Sequence, residues 1–424
     1  MVNKAVRLIL VTIAIVAGTI PANTQGHGQN FFFVEETSRL PPDTTLPGTS
    51  STDVDLVDVD ADGDLDLFVA EGTDSPAPRP NRLLLNDGSG FFTDVSSTHL
   101  PPAVANSTKA DFGDVDGDGD LDAIVANLGP EQLLINTGSG VFLDGSAQLP
   151  PSPSFFQDIT ADARLADVDG DGDPDILLSN ENPFNPSPTG GGQNRVLINN
   201  GAGVFSDQTA ARLPAANDQT GAMLPGDVDA DGDLDVIVLN RGQDLVLINN
   251  SAGFFSNQTA TRFPVTADTS RGGGLADLDG DGDLDLVVAN SRNEPVALYL
   301  NDGSGVFTAG DFGEAPLANE TDAGLELVDL DGDGDLDVYV PNAGAFTVGH
   351  GFEGGPDRYF RNNGNAKFKD RTDHHFPAVT DPTTDAAFGD IDGDGDLDLV
   401  VGNSGVNGQE RVFVQYANGH GPGL

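Results

Sequence analysis

The sequence predicts an all-β fold, a seven-bladed β-propeller with four antiparallel strands per blade and a ring closed by the N-terminal strand. Three observations predict it. An acidic nine-residue loop occurs seven times, a strand–turn–strand element recurs between its copies, and the two chain ends carry complementary parts of one unit.

The loops read "DVDADGDLD" (58–66), "DVDGDGDLD" (114–122), "DVDGDGDPD" (167–175) and "DVDADGDLD" (227–235), then "DLDGDGDLD" (277–285 and 329–337) and "DIDGDGDLD" (390–398). Their starts lie 50–61 residues apart, the period of a supersecondary unit repeated around an axis or along a solenoid. Each is followed by a short apolar run: "LFVA", "AIVA", "ILLS", "VIVL", "LVVA", "VYVP", "LVVG". Rich in β-branched residues and too short for helices, these runs read as buried strands.

Midway between loops stand "RLLLNDGSGFF" (82–92), "QLLINTGSGVF" (132–142), "RVLINNGAGVF" (195–205), "LVLINNSAGFF" (245–255), "ALYLNDGSGVF" (297–307) and "RYFRNNGNAKF" (358–368). Two apolar runs around an Asn/Asp/Gly turn signal a hairpin. With the short stretch before each loop, every unit has strands A to D, the acidic loop joining A to B. Four-stranded units without helical periodicity indicate a propeller. The last unit ends at "RVFVQYANGHG" (411–421), lacking a fourth strand, while "GQNFFFVEETSRLP" (28–41) resembles a D strand without its C strand. The Phe32-to-Pro41 spacing matches Phe92 to Pro101, so the N-terminal strand should complete blade 7. Closure also removes exposed sheet edges.

The opening "MVNKAVRLILVTIAIVAGTIPA" carries Lys4 and Arg7, an apolar run and small residues near Ala22. This is a secretory signal peptide pattern. The expected organisation is a signal peptide at 1–22 and one propeller domain at 23–424. The expected product is secreted (periplasmic or extracellular), monomeric and not membrane-inserted after cleavage. Net charge is −49, yet seven loops of five aspartates hold 35 of the 68 acidic residues. Such a surface disfavours nucleic acid and anionic membranes. With no cysteine, disulfides and thiolate metal sites are excluded.

Five aspartates at alternate positions repel one another unless a cation joins them. Side-chain oxygens at loop positions 1, 3 and 5, a glycine at 6 and a main-chain oxygen at 7 suit Ca²⁺. An EF-hand would need Glu at position 12, but Val69, Val125, Leu178, Val238, Val288, Val340 and Val401 stand there. The last carboxylate must therefore come from position 9. The candidate ligands are Asp58, Asp60, Asp62, Asp64 and Asp66 in the first loop, and Asp114, Asp116, Asp118, Asp120 and Asp122 in the second. Asp167, Asp169, Asp171, Asp173 and Asp175 form the third set, and Asp227, Asp229, Asp231, Asp233 and Asp235 the fourth. Asp277, Asp279, Asp281, Asp283 and Asp285 follow, then Asp329, Asp331, Asp333, Asp335 and Asp337, then Asp390, Asp392, Asp394, Asp396 and Asp398. About seven Ca²⁺ per chain are expected, one for each loop.

On these "DxDxDGDxD" loops, and on "DFGD" (111–114) and "AFGD" (387–390), the repeats resemble FG-GAP (VCBS-type) repeats, as in the calcium-binding propeller of integrin α chains. The resemblance covers nearly the whole mature chain and implies Ca²⁺ ligands at positions 1, 3, 5, 7 (main chain) and 9. A Gly-Ala-Pro segment is not evident, and all seven units carry a loop where integrins carry fewer. An integrin-like heterodimeric receptor is therefore not implied.

The function expected is a binding or adhesion scaffold for a protein or extracellular-matrix partner. The alternatives are a carbohydrate-active enzyme (lyase or hydrolase) and a lectin. The chain contains six His and no HExxH or GxSxG pattern, so no catalytic set is assigned. No Trp and only four Tyr weaken a lectin, whose sugar platforms favour aromatic stacking. By strand parity the acidic loops and C–D turns share one face. The unknown protein or glycan partner is expected on the other, where the long B–C loops 181–194 and 342–357 carry Phe184, Phe346, His350 and Phe352. Binding residues concentrate on such loops over a rigid scaffold.

Overall fold

The computed structural model describes residues 31–42, 50–72, 79–151, 159–182, 187, 190–291, 294–313, 324–344, 346–347, 351–352, 354–404 and 409–417. The segment expected to be a signal peptide, Phe184 and His350 lie outside them, as do the side chains of Phe346 and Phe352. Among the described residues, no helix is long and apolar enough to cross a membrane.

Seven four-stranded antiparallel sheets form the blades. Blade 1 runs Ser50–Val57 (A), Asp66–Gly72 (B), Arg82–Asn86 (C) and Phe92–Asp94 (D). Every B strand is buried along its whole length, from Asp66–Gly72 through Asp398–Asn403. Each blade is covered on both faces by its neighbours, so a B strand needs an unbroken apolar run and shows no alternation. The core is accordingly divided into seven apolar layers, one between each pair of adjacent blades.

Neighbouring A strands touch around the whole ring, which places them at the axis. In six blades the A–B register shifts near the start of strand A, as between Ser51 and Asp53. This bulge re-aims the side chains that follow it, and several are charged. Lys109 Nζ lies 2.6 Å from Asp53 Oδ1 and 3.5 Å from Asp385 Oδ1, bridging blades 1, 2 and 7. The carboxylates also accept from neighbouring A strands: Ala110 N–H donates to Asp53 Oδ2 (2.7 Å), and Leu165 N–H to Asp111 Oδ2 (2.7 Å). Burial would raise the Asp53 carboxyl, but the Lys109 ammonium holds it below the usual carboxylate range. Burial pushes Asp111 up to about 6. Removing one partner of a buried pair strands the other. Lys109→Met should therefore cost about 3–5 kcal/mol in denaturant unfolding; a loss under about 1 kcal/mol would show the pair to be dispensable.

The N-terminal strand Phe31–Glu35 pairs antiparallel with Arg411–Ala417 and closes blade 7 as expected. Its register corrects one detail. Phe33, opposite Gln415, takes the buried place that Phe92 holds opposite Asn86. Phe32 is only half-buried. The shift arises because Thr37–Arg39 is a three-residue turn where blade 1 has the four-residue Ser96–His99.

Candidate metal centre

Each acidic loop is organised by its own carboxylates. Asp58 accepts the N–H groups of Asp62 (3.2 Å) and Gly63 (3.1 Å), and Asp62 accepts that of Asp64 (3.0 Å). The second loop repeats this with Asp114 accepting from Gly117, Asp118 and Gly119. At position 6 the backbone is left-handed, φ +99° at Gly63 and +97° at Gly119. Only glycine adopts that conformation without strain. Position 4 is left-handed too, and in two loops it carries a side chain: Ala61 at +59° and Ala230 at +57°. Left-handed alanine is strained by roughly 1–2 kcal/mol, part of which glycine gives back as unfolded-chain entropy. Ala61→Gly and Ala230→Gly should each stabilise by about 0.5–1 kcal/mol in denaturant melts. A lower stability in both variants would mean that the methyl groups contribute packing.

Position 9 ties the loop to the blade. Asp66 Oδ2 accepts the N–H of Val59 (3.2 Å) and Oδ1 that of Asn86 in the C–D turn (2.9 Å). Burial in strand B pushes its carboxyl up to about 7; Asp175 and Asp235 also reach about 7, Asp122 and Asp285 about 6, and Asp398 about 8. Without a cation these groups resist ionisation.

Three of the expected carboxylates come together in each of the first five loops. Asp58, Asp60 and Asp62 offer oxygens within 4.8 Å of one another, as do positions 1, 3 and 9 in the next four loops: Asp114/Asp116/Asp122, Asp167/Asp169/Asp175, Asp227/Asp229/Asp235 and Asp277/Asp279/Asp285. Position 7 differs. The carboxylates of Asp64, Asp120 and Asp173 lie against Gly88, Gly138 and Gly201 of the C–D turns, where any Cβ would collide with them.

Whether these residues fit a cation can be read from position 3. Asp60, Asp116, Asp169, Asp229, Asp331 and Asp392 each bury an Oδ1 without a hydrogen-bond partner. Stranding a buried oxygen costs about 1–3 kcal/mol, more when it is charged, and six blades repeat that cost. An all-oxygen, carboxylate-rich donor set suits a hard divalent cation. A bound cation would supply the positive charge that lets these carboxylates remain ionised side by side.

Sequence reasoning missed the groups that join one loop to the next. Asn136 Nδ2 donates to Val59 O of blade 1 (2.7 Å) and to Leu121 O of its own loop (3.1 Å). Asn86, Asn199, Asn249, Asn301 and Asn362 repeat the bridge, and Gln415 takes this place in blade 7. Their fixed place after each C-strand run was the available signal; it was read only as turn chemistry. Arg39, Arg212 and Arg262 were missed as well. Each pairs with a position-3 aspartate of its own blade (Asp392, Asp169, Asp229) and donates to the next blade's C–D turn at Ser89, Ala252 or Ser304. Blade 6 adds Arg361, whose guanidinium contacts both Asp331 and Asp333.

Comparison with known proteins agrees with this architecture. The FG-GAP-like repeat family matches residues 58–125, 114–178, 187–238, 227–288, 277–340 and 346–401. No curated protein sequence matches the chain. Among solved structures, BBS1N in its complex with ARL6DN is similar at 14% identity and a TM-score of 0.51, over 88% of this chain and 94% of that one. An Agrocybe aegerita lectin that recognises non-reducing terminal N-acetylglucosamine is similar at 18% identity and a TM-score of 0.49, over 92% and 86%. The extracellular domain of BT4673, a one-component system protein of B. thetaiotaomicron, aligns at 12% identity and a TM-score of 0.48, over 91% of this chain and 40% of that one. At 14% identity the likeness to BBS1N concerns the fold alone.

Proposed function

The chain belongs to the FG-GAP-like repeat family, and from that premise we propose a secreted, non-catalytic scaffold whose aspartate loops bind Ca²⁺ and whose opposite face captures a protein or extracellular-matrix partner. The observation that carries the reading is the recurrence of a buried, partnerless position-3 oxygen in loop after loop. Calcium suits this cage better than magnesium, which demands tighter octahedral geometry and keeps its waters. Affinities on the order of 10⁻⁴–10⁻³ M, typical of extracellular modules, would match an exported protein. The Lys4/Arg7-plus-apolar N-terminus supports export.

The opposite face supports the binding role. The B–C connection of blade 4 is the short 241–244, whereas those of blades 3 and 6 are much longer. Their described parts are tied down. Gln219 Nε2 donates to Asn182 O (3.1 Å) and Ser187 O (3.2 Å), and Asn182 N–H donates to Gln219 Oε1 (2.7 Å). The blade 6 connection holds a small hairpin, Phe346–Thr347 against Gly351–Phe352. It ends on Asp357, which accepts from Tyr339 Oη (2.8 Å), Asn342 N–H (2.8 Å) and Thr383 Oγ1 (3.1 Å). Anchored insertions over a rigid ring are the usual place for recognition.

The test replaces 181–194 and 342–357 with "RGQD" and presents the immobilised wild type and variant to a glycan array and to the native secretome. The wild type should retain a partner and the variant lose it, with equal calcium-dependent melting. Undiminished capture by the variant, or none by the wild type, would sink the proposal.

A further inference from the structure

Blade 6 departs from the other blades at two residues. Arg361 stands on strand C (Arg358–Arg361), one place before Asn362. The same place holds Leu85, Ile135, Ile198, Ile248, Leu300 and Val414 in the other blades, all aliphatic. Its guanidinium pairs with Asp331 at position 3 through Nε and with Asp333 at position 5 through Nη2 (2.7 Å). Tyr359, two residues earlier, donates its hydroxyl to Asp337 Oδ2 (2.6 Å), the position-9 oxygen that takes the position-2 N–H in the other six loops. The rest of the loop keeps its form. Asp329 accepts the N–H groups of Asp333 (3.1 Å) and Gly334 (2.9 Å), and Asp331 Oδ1 is partnerless like its counterparts in blades 1–4 and 7.

The sixth loop is therefore shaped like the others but already holds a cation. Arg39, Arg212 and Arg262 touch only position 3, from the turn after strand D. Arg361 spans positions 3 and 5, two of the carboxylates that a divalent ion would need. A guanidinium is always protonated and fits carboxylate pairs through its fork of donors. A dication in the same cage would sit within a few ångströms of that charge and repel it. We infer that Arg361 replaces the metal ion in blade 6, so that the chain takes six calcium ions and the sixth blade stays closed without one. The inference rests on the calcium reading of the other loops.

Equilibrium dialysis at saturating calcium, with metal counted by atomic emission, tests it. The wild type should bind six Ca²⁺ per chain. Arg361→Leu, which installs the side chain of blades 1 and 5, should bind seven, and adding Asp331→Asn should return it to six. In chelator Arg361→Leu should melt below the wild type, and calcium should restore it, because the variant exchanges a built-in cation for a soluble one. Arg361→Gln gives the same readouts if the leucine variant does not fold. Seven ions on the wild type, or no gain in either variant, overturns this inference while leaving calcium binding intact. No calcium on any of these proteins overturns the calcium reading, and the inference with it.

Discussion

Chelation at neutral pH should lower the melting temperature by roughly 10 °C and broaden the transition. A site at about tenfold its Kd in calcium stabilises by about 1.4 kcal/mol. Six independent loops would together contribute about 8 kcal/mol. Domains of 150–250 residues shift by about 2–4 °C per kcal/mol, and a larger ring shifts less for the same energy. The effect has a pH signature. In the metal-free fold, burial raises Asp66, Asp175 and Asp235 to about 7 and Asp398 to about 8, against an ordinary 3.8. Raised folded-state values favour the protonated carboxyls, so their contribution is full below about pH 4 and is lost as pH rises through 7–8. In chelator the melting temperature should fall between pH 5 and pH 8.5. With calcium holding the carboxylates ionised the fall should largely disappear, so the gap between the two curves widens with pH. Calorimetric scans at three pH values with and without EDTA decide this. Coincident scans would mean that the loops hold no metal.

Deleting residues 23–37 should abolish cooperative folding of the ring. The deletion removes the strand Phe31–Glu35 and leaves Arg411–Ala417 as an open edge. Phe31 and Phe33 are 5% and 4% exposed; Phe31 stacks on His375 at 4.1 Å and Phe33 on Phe376 at 4.5 Å. Truncating one buried Phe costs about 3–5 kcal/mol, and two such losses approach the whole stability of an ordinary domain, about 5–15 kcal/mol. The strand also links blade 6, through the His375 Nδ1 contact with Phe31 O (2.9 Å), to blade 7, through Arg411 and Glu35 (2.5 Å). The truncated protein should melt broadly and associate through its bare edge, whereas removal of 1–22 alone should change nothing. Calorimetry with light scattering reads both outcomes. A truncated protein that melts as one sharp, monomeric transition would show that the ring does not need this strand.

The blades, their number and the ring closure were legible because they are written in local periodicity: an acidic loop, an apolar run and a turn, seven times over. The gathering of the loop carboxylates was legible for the same reason, since their places are fixed by spacing within nine residues. The Phe32 alignment failed by one residue because it counted along the chain through a turn whose length varies from blade to blade. Lys109, Arg361 and the asparagines after each C strand were visible as letters but not as contacts. Lys109 meets Asp385 across 276 positions of sequence, and Asn136 meets Val59 across 77.

The sequence alone determined which residues become strands, where the carboxylates gather and that the first and last strands pair, because each of these follows from spacing within one blade or from matching the two ends. Only the tertiary structure decided which side chains close the ring at its axis, which groups join one loop to the next, and which loop already contains a cation. Those contacts depend on the rotation from blade to blade, and that angle is set by the packing of seven apolar layers, which no local pattern encodes.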